Sequence, residues 1–165
     1  MKMVRENIEL HSVAGRPSFH KITKDVQAIV EKNGIKNGIC VVYSHHTTCS
    51  VITQEYSHDE TYAGLEFLQQ DFVEVLEKIA PTCHKEGQYM QPGPLLTEFA
   101  EANGEPKPQC LNTDAHLRTA LIGRSVTFSV VDGKIDMGPF GQIYFIDFDQ
   151  TRERDRQATV HIIGE

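Results

Sequence analysis

The longest unbroken apolar run in this chain is five residues, Ile39-Cys40-Val41-Val42-Tyr43. That brevity limits the fold. A membrane-spanning helix needs about 20 consecutive apolar residues, and a secretory leader needs a longer apolar centre than any found here. The chain must instead bury a core built jointly by short elements. At 165 residues it is long enough for one domain, here taken as residues 1–165. A cytoplasmic protein with no membrane partner is expected. The net charge of −7 also argues against nucleic acid, which is bound by neutralising phosphates. A small phosphorylated molecule or anion held by a local basic patch remains compatible with that charge.

The five-residue run is rich in β-branched residues and reads as a strand. A polar stretch follows, His45-His46-Thr47-Thr48, and Val51-Ile52 then restarts a strand pattern. Two strands joined through a tip with two imidazoles and two hydroxyls would hold a ligand site rigidly at a sheet mouth. The alternative is a surface turn with incidental histidines.

The remaining elements follow from periodicity and punctuation. A strand is predicted over 4–10 and a short one over 19–22. A helix follows with Thr23 at its cap, Val26, Ile29 and Val30 on one face, and Asn33-Gly34 as the stop. A second helix is predicted over 60–79. Leu65, Leu68, Phe72, Val75, Leu76 and Ile79 form its apolar stripe, and Glu66, Gln69, Gln70, Glu74 and Lys78 its solvated face. Residues 81–110 are interrupted by proline and glycine, with one or two helical turns over Leu95–Ala102. Asn112 opens another helix with Leu117 and Leu121 inward and Gly123 at its end. Strands over 126–131 and 135–137 flank the hairpin signal Asp132-Gly133. Strands over 142–148 and 158–163 close the chain. Seven or eight strands with three or four helices predict an α+β fold, an antiparallel β-sandwich-like core with helices packed outside. The four cysteines lie far apart and read as reduced thiols.

His116 falls in the first turn of the helix opened by Asn112. The positive end of a helix disfavours imidazolium, so a histidine there can accept a proton or ligate a metal. It can equally be a polar helix-start residue without a ligand, and Asp114 a carboxylate that complements the dipole. Glu55 reads either as a general base or metal ligand or as a plain strand-end carboxylate. Arginine grips phosphate in bidentate fashion; among Arg118, Arg124, Arg152, Arg154 and Arg156, Arg118 is chosen because it lies two residues past His116, and Arg156 because of the resemblance described next.

Taken in order, His46-Thr47-Thr48, Gln54-Glu55, Asn112-x-Asp114-Ala115-His116-Leu117, Leu121-x-Gly123, Asp132-Gly133-Lys134, Gln142-Ile143-Tyr144-Phe145, Phe148-Asp149 and Arg156 resemble the YjbQ-like family over about residues 8–164. Members are largely uncharacterised, and some are labelled secondary thiamine-phosphate synthases. The resemblance implies a homotrimer with a polar pocket near a subunit boundary, formed by His46, Thr47, Thr48, Glu55, Asn112, Asp114 and His116. It also implies that this pocket takes a metal or a phosphate-like ion. Two elements differ. Where the family often has Tyr-x-His, this chain has Tyr89-Met90-Gln91, so that histidine is either missing or replaced by His84 or His45. Where the family has Gly-Thr-Trp-Gln, this chain has Gly138-Pro139-Phe140-Gly141 followed by Gln142, and it contains no tryptophan.

Two functions are consistent with these residues. One is an enzyme acting on a phosphorylated substrate, with weak thiamine-phosphate synthase activity. In it His46, Glu55 and His116 do the chemistry, and His46, His116 and His84 hold a divalent zinc or other transition metal. Thr47, Thr48, Asn112, Asp114, Arg118 and Arg156 would bind substrate. The other is a non-catalytic trimer that binds a metal or an anion.

Overall fold

The computed structural model describes residues 1–165. Eight strands form two antiparallel sheets. Strands β1 (Lys2–Ser12), β8 (Arg154–Gly164), β3 (Gly38–Ser44), β5 (Ser125–Val131) and β6 (Lys134–Asp136) make the larger sheet, in that spatial order. Strands β2 (Ser18–Lys21), β7 (Gly141–Asp147) and β4 (Cys49–Glu55) make the smaller one. Every pairing is antiparallel. The helices are α1 (Thr23–Lys32), α2 (Phe67–Ile79), α3 (Pro94–Ala102) and α4 (Thr113–Ile122), with a 3₁₀ turn over Lys107–Cys110. The α+β reading therefore holds, and no helix is long and apolar enough to cross a membrane.

Strand alternation explains the layering. In β7, Ile143 and Phe145 point into the main core with Cys49 and Val51 of β4, Val42 of β3, Val160 of β8 and Val26 and Val30 of α1. The intervening Tyr144 and Ile146 point the other way, and with Phe148 they pack against Leu76 of α2 and Ala115 of α4. The smaller sheet is thus covered on both faces, which is why β7 reads as almost continuously apolar. Complete burial of a side chain such as Phe145 contributes about 1.5–3 kcal/mol.

The Asp132-Gly133 turn signal acts as read. Asp132 and Gly133 adopt φ of 50° and 78°, the pair of positive values a two-residue hairpin needs. Gly38 pairs with Gly164 across β3 and β8. A Cβ at Gly38 would lie 2.3 Å from the carbonyl oxygen of Ile163, so the strands approach more closely than any side chain permits. All four cysteines are free and buried.

β3 and β4 are joined through the polar tip as read; they belong to different sheets, and residues 45–48 carry the chain from one to the other. Three expectations change. Thr23 does not cap α1. It is the first helical residue, Ile22 holds the cap position, and the Thr23 hydroxyl accepts the Ile143 N–H at 2.9 Å. The second helix starts at Phe67 rather than near residue 60, because Glu66 and Gln69 close a capping box. Both residues are buried rather than solvated, and Glu66 accepts the Tyr144 hydroxyl at 2.7 Å. Finally, Leu117 and Leu121 do not face inward. They are 42% and 63% exposed, while α4 buries Thr113, Asp114, Ala115, Arg118 and Thr119. Thr113, Asp114 and Arg118 turn in toward hydrogen-bond partners in other segments, the Gln91 carbonyl, the Cys83 N–H, and Glu77 with the Ala80 carbonyl.

Candidate functional site

The crossover from Ser44 to Cys49 is anchored from below. Asp147, at the end of β7, is fully buried and collects four donors. Its Oδ2 accepts from Ser12 Oγ at 2.8 Å and from Arg156 Nε at 2.6 Å. Its Oδ1 accepts from Thr48 Oγ1 at 3.3 Å and from the Asp149 N–H at 3.0 Å. Asp149 in turn accepts from Asn112 Nδ2 at 3.0 Å, which ties the start of α4 to the same carboxylate pair. A buried charge is tolerable only when paired and fully hydrogen-bonded, and Arg156 and Asp147 meet that condition.

His46 faces this network. Its Nε2 accepts the Gln157 backbone N–H at 3.2 Å. An accepting Nε2 fixes the neutral tautomer with the proton on Nδ1. Burial, and then the nearby Arg156 guanidinium, push its pKa below the ordinary histidine value, in agreement with that tautomer. His45 is exposed, with Nε2 3.3 Å from Thr159 Oγ1 and its ring edge-on to Tyr43.

Helix α4 approaches from the other side. Asp114 Oδ1 accepts the Cys83 N–H at 3.1 Å. Arg118 is completely buried and donates to the Ala80 carbonyl at 2.8 and 3.0 Å and to Glu77 Oε1 at 2.8 Å. Its Nη1 lies 3.8 Å from Asp114 Oδ2, and neither atom has a hydrogen bond, a spacing that suits one bridging water. Burial raises the Asp114 pKa. Burial also works to raise that of Glu77, but the hydrogen bonds from Thr82 and Arg118 outweigh it and hold this carboxyl below the usual range. Arg118 therefore binds the end of α2 to α4.

Two clefts open beside α4, and His116 lines both. One, of about 390 Å³, lies between α4 and the crossover and is lined by Thr47, His116, Thr119, Ala120, Gly123 and Arg124. Arg124 is held there by the Ser44 N–H, which donates to its carbonyl at 2.9 Å, and by its own Nη1, 3.4 Å from the His45 carbonyl. The Thr119 hydroxyl is buried without a partner. The other cleft, of about 360 Å³, runs along α3 and reaches Asn112 and His116.

The expected site residues thus separate into groups. Thr47 and His116 share a cleft, and Asn112 joins His116 in the next one. His46, Thr48 and Arg156 form the support beneath the crossover, and His46 lines neither of these two clefts. Arg118 and Arg156 are buried in ion pairs rather than open to a substrate, because each neutralises a buried carboxylate. Asp114 is likewise spent on the Cys83 N–H and on its Arg118 neighbour. Glu55 is exposed and pairs with Gly141 at the far end of β4. A strand rises about 3.3 Å per residue, which sets Glu55 about 20 Å from Cys49. His84 is exposed on the loop after α2. Within one chain no group of three or more histidine, cysteine or acidic side chains is placed to hold a metal, and His46 already spends Nε2 on Gln157. The single chain does not fit the expected metal set of His46, His84 and His116.

Thr119, Arg124 and Asp147 are not among the site residues expected from sequence, and Asp149 enters there only within the Phe148-Asp149 element. Arg124 directly follows the helix-ending Gly123, a position where a cation meets the negative end of a helix. That was the available signal. Asp147 and Asp149 look like ordinary strand-end acids.

Comparisons with known proteins agree with the fold. The family model described as UPF0047 protein YjbQ-like matches residues 6–165. A UPF0047 protein of Methanothermobacter thermautotrophicus is 30% identical, over 84% of this chain and 79% of its own. One from Archaeoglobus fulgidus is also 30% identical, over 86% of this chain and 89% of its own. The crystal structure of a YbjQ-like protein of unknown function from Sulfolobus solfataricus superposes with a TM-score of 0.71 at 25% identity, covering 99% of this chain and all of that one.

Proposed function

The chain belongs to the YjbQ-like UPF0047 family, and from that premise we propose that it binds the phosphate group of a small phosphorylated molecule in the cleft between α4 and the crossover and acts on it as an enzyme. One observation carries this reading. In a protein of net charge −7, the cleft is lined by a guanidinium, an imidazole and the exposed Thr47, with no carboxylate. Phosphate oxygens accept hydrogen bonds from all three groups, and arginine can supply two in parallel.

His116 is the side chain of this lining whose chemistry suits a general acid or base. Thiamine-phosphate synthesis, which joins a pyrimidine diphosphate to a thiazole phosphate and expels pyrophosphate, is the reaction we propose to test. The cleft offers one fixed positive charge against a pyrophosphate leaving group that carries several. Turnover is therefore expected to be weak. No metal-borne step is included, because the donors of one chain do not form a set. A zinc or other divalent site would need ligands from a second copy, and metal analysis of the purified protein tests for one. The outward leucines of α4 and the exposed Phe67, Val75 and Ile79 of α2 support assembly with further copies, which we propose is the homotrimer.

The second reading is a non-catalytic anion-binding protein. It is favoured by His116 being the only acid–base group in this lining. Calorimetry with inorganic phosphate and pyrophosphate, beside a synthase assay with and without divalent metal, decides between them. Arg124→Met and Thr47→Val are expected to weaken phosphate binding, each by about tenfold or more, from the loss of a hydrogen bond to a charged partner. Unchanged affinity in both variants refutes the site. Binding without turnover of any substrate favours the second reading.

A further inference from the structure

The cleft along α3 differs in chemistry from its neighbour, yet shares His116 with it. Its only acidic lining residue, Glu105, is engaged by Arg152 Nη2 at 2.7 Å. Cys110 is buried, and that burial pushes its thiol pKa up, so it is a neutral wall. Leu96, Phe99 and Ala100 of α3 supply an apolar side. Facing them are amides with unused capacity. The side chains of Gln91 and Gln109 make no hydrogen bond within the chain, and Asn112 spends Nδ2 on Asp149 while Oδ1 stays free. At about 360 Å³ the space lies in the range of small-molecule sites.

An apolar wall opposite neutral amides is the lining expected for a flat, uncharged ring that presents donors and acceptors at its edge. A charged group would lose hydration here and find no counter-ion. We infer that the α3 cleft is the subsite for the organic half of the ligand, an uncharged heteroaromatic group, whose phosphate sits across His116 against Arg124. This assignment rests on the phosphate reading of the neighbouring cleft. It makes α3 and the 3₁₀ turn after it the elements that set specificity, while α4 and the crossover supply the anion contact. Phe99 is 67% exposed and is free to stack on such a ring.

The test compares the affinities of inorganic phosphate, glycerol phosphate, phenyl phosphate and a pyridyl phosphate for the full-length protein by calorimetry. Both aryl phosphates are expected to bind tighter than inorganic phosphate by about tenfold or more, from burial of the ring, with the pyridyl compound the tighter of the two. Glycerol phosphate is expected to match inorganic phosphate within about twofold. Phe99→Ala, a change on the helix surface, should remove most of the aryl gain and leave inorganic phosphate unaffected. Ala100→Phe, which fills the cleft, should do the same by exclusion. Arg124→Met should weaken all four ligands. If inorganic phosphate fails to bind wild type, the phosphate reading itself is wrong. If it binds through Arg124 and aryl phosphates bind no tighter, the phosphate reading stands and the subsite is wrong. If Phe99→Ala changes the oligomer in light scattering but not the aryl gain, a second copy covers this wall and the subsite is again overturned.

Discussion

Replacing Arg156 with methionine tests whether this arginine supports the crossover or serves the ligand. Arg156 is 5% exposed and its Nε lies 2.6 Å from Asp147 Oδ2, on a carboxylate with no exposure at all. Removing one partner of a buried pair costs about 3–5 kcal/mol, because the other charge is left uncompensated. Asp147 would keep three donors, from Ser12, Thr48 and the Asp149 N–H, which places the expected loss near the lower end, about 3 kcal/mol. For a chain of this length each kcal/mol shifts the melting temperature by about 2–4 °C, so a fall of about 6–12 °C is expected. The assay is thermal and urea unfolding at one fixed protomer concentration, since the proposed assembly would also contribute to stability. Asp147→Asn alone should destabilise comparably by stranding the guanidinium. The double variant should recover a large part of the loss, because no buried charge is left alone. A variant Arg156→Met that unfolds at the wild-type midpoint while losing phosphate affinity would refute the structural role and return Arg156 to the ligand.

Acid should destabilise the fold. The His46 pKa is depressed in the folded state by burial and by Arg156, so protons bind the unfolded chain more readily. The stability His46 contributes is present above its unfolded value of 6.5 and is lost as pH falls through the folded one. His20 is shifted the same way by burial, so His46→Gln should flatten the fall in urea midpoint between neutral and mildly acidic pH without abolishing it. An unchanged slope would show that folding leaves the proton affinity of His46 unaltered and refute the burial argument. Leu117→Glu with Leu121→Glu should dissociate the assembly in light scattering while leaving the protomer folded. A wild-type protein that is already monomeric would remove the case for a trimer. Gly38→Ala should destabilise by about 1–3 kcal/mol, since the added Cβ would overlap the Ile163 carbonyl. A neutral effect would mean that β3 and β8 part easily at that end.

The sequence by itself determined the element types and most of their limits. Alternation, the Asp132-Gly133 turn and the stops at Gly34, Pro81 and Gly123 act through neighbouring residues, and local geometry is readable in a local pattern. It also indicated that His116 sits at the start of a helix beside polar groups. Only the tertiary structure decided which groups meet. Whether β3 and β4 pair with each other or divide between two sheets depends on partners more than 75 residues away in β7 and β8. Non-local contacts likewise turned Arg118 inward onto Glu77 and the Ala80 carbonyl, and Arg156 onto Asp147, and left Arg124 as the cation of the cleft. They reversed α4 as well. Leu117 and Leu121 carry the apolar signal that normally marks an inner face, but the buried face was won by Asp114 and Arg118, which had hydrogen-bonding partners on α2 and its following loop. A pattern of hydrophobicity records how much a residue avoids water. It does not record whether the surface that shelters it comes from its own chain or from another copy.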